Sequence, residues 1–204
     1  YYSFFLRQKL FERKIEEIKK NSMYVFPDLK LLPKSKFAHI GVVADTNIAA
    51  YLDHTQLNRH TLIAGGTGSG KTVAGMVIVE ELLKRKMPVI VFDPTGQWTG
   101  FLNKNADKEM RKKYRKFKMG EAKKFDAEII QVKEGNMDLD IVQYTKKKKL
   151  TIVLLNRLTP RQADVFIAHC LEKIYRANLP EAPSLRSLLV FDEVHRLLTK
   201  YGGK

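Results

Sequence analysis

A chain of 204 residues with a 44% hydrophobic share is long enough for one well-buried core and a small appendage. Its 37 Lys+Arg against 22 Asp+Glu give a formal net charge of +15, which suits polyanionic partners such as nucleic acid or an anionic membrane face; a Lys-rich soluble surface accounts for the same balance. The single cysteine, Cys170, excludes a disulfide framework and a cysteine-built zinc site, and no run of about eighteen apolar residues is present to span a bilayer.

The elements follow in chain order. Leu6, Leu10, Phe11, Ile15 and Ile18 recur at helical spacing among charges, so residues 1–20 read as an amphipathic helix. Its aromatic start, YYSFFL, suits packing on a neighbouring domain or a position close to a membrane. FPDLKLLPKSKF carries two prolines and reads as a linker, giving an N-terminal unit over 1–37 and a main domain over 38–204. HIGVVAD is a strand candidate. TNIAAYLDHTQLNR reads as an irregular or partly helical approach, and TLIA (61–64) as a short apolar strand. Residues 72–86 form an apolar helix containing Val73, Met76, Val77, Val79, Leu82 and Leu83. PVIVFD (88–93) is a continuous apolar run, the pattern of a strand buried on both faces. Residues 103–124 break this rhythm. They hold ten Lys/Arg against three Asp/Glu, a net +7, with Tyr114, Phe117 and Met119 interleaved. As a helix this segment is either a solvated basic face or an element that touches phosphates.

DAEIIQV and LTIVLLN are two further strand candidates. Thr159, Pro160 and Gln162 supply an N-cap, a first-turn proline and a capping-box partner, so a helix starts there, and Cys170 falls on its apolar face as buried filler. SLLVFDEVHRLL is a strand that runs into an acidic pair and a helical tail. Strands alternating with helices predict an α/β fold with a mostly parallel sheet. With one cysteine and no visible leader, the chain reads as intracellular.

Three motifs carry chemistry. The first is GGTGSGKT: Gly65, Gly66, Thr67, Gly68, Ser69, Gly70, Lys71 and Thr72 match the phosphate-loop pattern in full. Its glycines let several backbone N–H groups point at one anion, Lys71 reaches the β- and γ-phosphates, and the Thr72 hydroxyl completes a Mg²⁺ shell. The second is LLVFDE, an apolar strand with Asp192 at its carboxyl end, the edge where ligands sit in open α/β sheets. Asp192 is placed to hold Mg²⁺ through a water, and Glu193 to activate the attacking water. The third is VIVFDPTGQWTGF. Asp93 ends a buried strand at the same edge, and a tight turn leads to Gln97 and Trp98; this is either a nucleotide-sensing element or a packed βα loop.

HTLIAGGTGSGKT, VIVFDPTGQW and LLVFDEVHRLL together closely resemble the HerA/FtsK superfamily over roughly residues 40–200, nearest to HerA-type ATPases and the ATPases of conjugation and type IV secretion. The resemblance implies a RecA-like ATPase domain that binds ATP and Mg²⁺, works on DNA as a ring, usually a homohexamer, and is cytoplasmic or sits at the cytoplasmic face of a membrane. It carries over His60, the turn from Asp93 to Gly96, and Asp192 to His195, with His195 facing the site or packed beside it. Relatives often have Glu where this chain has Gln97, so no carboxylate role transfers there. The family also continues with a strand bearing a polar sensor and an arginine that reaches the next subunit. Neither has a counterpart in this sequence, so the domain is expected to be incomplete at its C-terminus and to be preceded by a missing segment. A membrane-attached secretion or DNA-import ATPase and a nucleotide-set assembly scaffold stand as the rival readings.

Overall fold

In a computed structural model, residues 38–42, 48–53 and 57–194 are described, all within one compact unit, Ser35–Lys204. The expected N-terminal helix, the linker, and the helical tail with His195 lie outside the described residues.

Four parallel strands make the central sheet, in the order β4 (Ala127–Gln131), β5 (Leu150–Leu154), β3 (Val89–Asp93), β6 (Leu188–Phe191). Val89 is in register with Leu150 on one side and Leu188 on the other, and Leu150 with Ala127. Every residue of β3 and β5 is buried, as their unbroken apolar runs require of central strands covered on both faces.

Alternation along β3 feeds two cores. Val89 and Val91 pack with Leu150, Ile152 and the buried face of α1 (Lys71–Lys84), chiefly Val79, Leu82 and Leu83. Ile90 and Phe92 face the other way, onto Val153 and α3 (Pro160–Arg176) through Ala163, Phe166, Ile167 and Cys170. A strand's period of two is enough to produce this division. The capping box at the start of α3 forms as its sequence predicts: Thr159 Oγ1 accepts from the Gln162 N–H, and Gln162 Oε1 accepts from the Thr159 N–H at 2.9 Å. The expected α/β class with a parallel sheet is the one the chain adopts, and it is that of a RecA-like phosphate-loop domain.

Two expectations before the phosphate loop are corrected. Residues 49–52, read as irregular or partly helical, form strand β2 (Ala49–Leu52), antiparallel to β1 (Ala38–Val42) in a separate two-stranded sheet. This ribbon is tied to α1 by the His39 N–H, which donates to Glu81 Oε2 at 3.3 Å. TLIA (61–64) forms no strand, and Leu62 is 78% exposed. A strand exists only by pairing, and among the described residues no strand pairs with this segment. The basic segment is helical over a shorter stretch than expected, α2 (Lys108–Lys116), capped by Asp107, whose carboxylate accepts from the Met110 N–H at 2.7 Å.

Candidate nucleotide site

The site is assembled at the carboxyl ends of β3 and β6, beside the start of α1. Gly70 begins that helix in the left-handed region, φ +89°, which glycine adopts without strain. At Gly65 the approach is close: a Cβ there would crowd the Ser69 side chain, 3.3 Å from its Cβ. The loop is closed by a Ser69 N–H to Gly66 carbonyl bond of 3.2 Å. Lys71 folds back to donate to the same carbonyl at 3.0 Å. Gly65, Gly66, Thr67, Gly68, Ser69 and Gly70 are all exposed, with Lys71 and Thr72 half-buried at the helix start. An open loop of backbone donors at a helix N-terminus is an anion cradle.

Residues 120 positions apart in sequence meet here. The Thr72 hydroxyl donates to Asp192 Oδ1 at 3.5 Å, and the same oxygen accepts from the Glu193 N–H at 2.9 Å. Asp192 Oδ2 accepts from the Trp98 indole N–H at 2.9 Å. Asp192 hangs from the sheet by its own N–H, bonded to the Phe92 carbonyl at 3.2 Å. Glu193 follows with φ +49°, a left-handed conformation that costs a non-glycine residue energy and clusters at functional sites.

Two hard oxygen donors, the Thr72 hydroxyl and the Asp192 carboxylate, adjoin at the mouth of the anion cradle. That donor set fits Mg²⁺, which keeps most of its shell as water and phosphate. It does not amount to an all-protein metal cage: among the described residues no group of three or more His, Cys, Asp or Glu is placed to hold an ion.

Asp93, expected as a candidate accessory residue, is fully buried and its carboxylate is occupied. Oδ1 accepts from Thr95 N–H, Thr95 Oγ1–H and Gly96 N–H at 2.9, 3.0 and 2.7 Å, and Oδ2 from Trp98 N–H at 2.9 Å. It builds the turn that carries Gln97 and Trp98. Gln97 is exposed on a 3₁₀ turn, Gln97–Leu102, and helps line a cavity of about 390 Å³ beside α1. Glu80, Phe101 and Tyr114 of α2 line the same cavity. Glu80 is buried, its Oε2 accepts from the Tyr114 hydroxyl at 2.7 Å, and burial holds its pKa above the usual carboxylate range. The basic helix is thus pinned to the helix that follows the phosphate loop. Composition pointed to the basic segment, but nothing in the sequence paired Tyr114 with Glu80, 34 residues earlier.

Residues 38–134, which contain the phosphate loop and the Asp93 turn, match the family model of the helicase HerA central domain. No curated protein matches the chain.

Proposed function

From the match of residues 38–134 to the HerA central domain, we propose that the chain is a phosphate-loop ATPase of the HerA/FtsK superfamily and the ATP-hydrolysing motor of a ring, most simply a homohexamer, that moves along duplex DNA. The observation that carries the reading is the meeting of Thr72 with Asp192 at the open phosphate loop, with Glu193 next in sequence. Binding alone needs the loop; an adjoining carboxylate pair is what hydrolysis adds.

In this reading Lys71 exchanges the Gly66 carbonyl for β- and γ-phosphate oxygens when ATP enters. Thr72 and Asp192 would hold Mg²⁺, which when bound would neutralise phosphate charge and polarise the transferred group. Glu193 orients a water for in-line attack and takes its proton. The exposed cations of residues 103–124 supply contacts to the DNA backbone that ignore sequence and weaken with salt. Such a motor works in the cytoplasm or at the inner face of a membrane.

The test is ATP turnover by the whole protein with and without duplex DNA across a salt series, with Glu193→Gln as control. Turnover raised by DNA, fading steeply with salt and lost in the variant, is the expected result. Turnover indifferent to DNA at every salt concentration overturns the DNA cargo in favour of an ATPase that exports protein. Tight ATP binding with no turnover under any condition overturns the motor in favour of a nucleotide-set scaffold.

A further inference from the structure

The phosphate-loop chemistry leaves Trp98 without a role, yet it is the largest fully buried side chain among the described residues and it touches the site. It is 1% exposed and stacks on Phe101, with ring centroids 5.8 Å apart and planes 7° from parallel. Its far edge lies against α1, where a Cβ at Gly75 would meet the ring at 3.7 Å. Its backbone N–H is held by Asp93 and its indole N–H by Asp192. One side chain therefore spans the carboxyl ends of β3 and β6 and the helix that follows the phosphate loop.

We propose that Trp98 is a positioning residue for Asp192: its indole N–H occupies Oδ2 and so fixes Oδ1 toward Thr72, the orientation in which the pair holds Mg²⁺. This rests on the metal-holding reading of Asp192 given above. The physical need is clear. The terminal torsion of an aspartate is soft and broad, so a half-buried carboxylate held at both oxygens, Oδ2 by the indole and Oδ1 by the Glu193 N–H, is better ordered than one held at Oδ1 alone. An indole is suited to the task because it is a donor only, is uncharged, and cannot compete with the carboxylate for a cation. The stacking on Phe101 and the Asp93 bond keep the donor itself from moving, as a supporting residue at a preorganised site must be kept.

The test uses the whole protein and a fluorescent ATP analogue, titrated with Mg²⁺ and again with chelator. Trp98→Phe keeps an aromatic ring against Phe101 and removes the N–H. The expected result is an affinity about tenfold weaker with Mg²⁺, the order of one hydrogen bond to a charged group, and unchanged within about twofold without metal. Equal losses in both conditions, or none in either, would overturn the proposal. Asp192→Asn separates this failure from that of the underlying reading: if it leaves the Mg²⁺ dependence intact, Asp192 holds no metal and both ideas fall. If Asp192→Asn abolishes the dependence and Trp98→Phe leaves the affinity with Mg²⁺ unchanged, only the positioning role falls. A second measurement does not depend on the Phe variant folding. Trp98 is the chain's single tryptophan, so its emission in the unaltered protein should shift with Mg²⁺-ATP more than with ATP and chelator. Identical emission in the two conditions counts against the proposal.

Discussion

Asp93 and Asp192 end neighbouring strands at one sheet edge, and their carboxylates are used in different ways. Asp93 accepts four hydrogen bonds from the three residues Thr95, Gly96 and Trp98. Asp192 keeps Oδ1 directed at a hydroxyl across the site. Both positions were legible as acids at the carboxyl end of an apolar strand. Their division of labour was not, because it depends on how the backbone after Asp93 curls, and Pro94-Thr95-Gly96 signals only that it turns. Asp93→Ala would leave those donors unpaired in a buried place, so a loss on the order of 3 kcal/mol of folding stability is expected in urea unfolding, with Asp93→Asn recovering part of it. Equal stability of Asp93→Ala and the parent would refute this account of the turn. The left-handed backbone of Glu193 was equally hidden, since a residue type does not announce a strained φ.

Element by element, legibility tracked how much of each element's stabilisation is local. The capping box of α3 is written in four consecutive residues and forms as read. Thr159→Ala should therefore cost about 1 kcal/mol, measured as a lowered unfolding midpoint, while Arg161→Ala in the same turn, exposed and outside the cap, should change little. Strands β3 and β5 were equally plain, because burial on both faces leaves no polar alternation to confuse the period. The failures fell where a partner decides. Ala49–Leu52 becomes a strand through its pairing with β1, a match whose register shifts between His39 and Gly41. Residues 61–64 have strand composition but no neighbour among the described residues to pair with. Propensity for a strand is a statement about a fit to neighbours, not about a backbone alone.

Across the whole molecule, charge is unevenly spent. Glu128 is held below the usual carboxylate range by hydrogen bonds from Lys149, Lys147 and Thr151, which win over a burial effect acting the other way. The cations of α2 face water instead: Lys108, Lys113 and Lys116 are exposed, and α2 is anchored to α1 by the Tyr114–Glu80 bond. If these lysines contact phosphates, replacing all three by Gln should reduce the slope of log affinity against log salt by up to about 2.7, at roughly 0.9 per contact on duplex DNA. Fluorescence anisotropy with a labelled duplex reads this directly, and an unchanged slope would move the contact surface elsewhere. The basic character of this segment was legible from composition. The tether that links such contacts to the nucleotide helix was not, because it is made by two residues from different elements.

The one thiol of this chain offers a practical opening. Cys170 is buried against the sheet, and burial pushes its pKa up to about 11. Thiolate is the reactive species, so at neutral pH this sulfur should be nearly inert toward maleimides. Cysteines placed at exposed positions such as Lys112 on α2 and Glu172 on α3 could then carry a dye pair without first removing the native residue. The distance between the dyes would show whether the basic helix moves relative to the sheet as nucleotide binds and leaves.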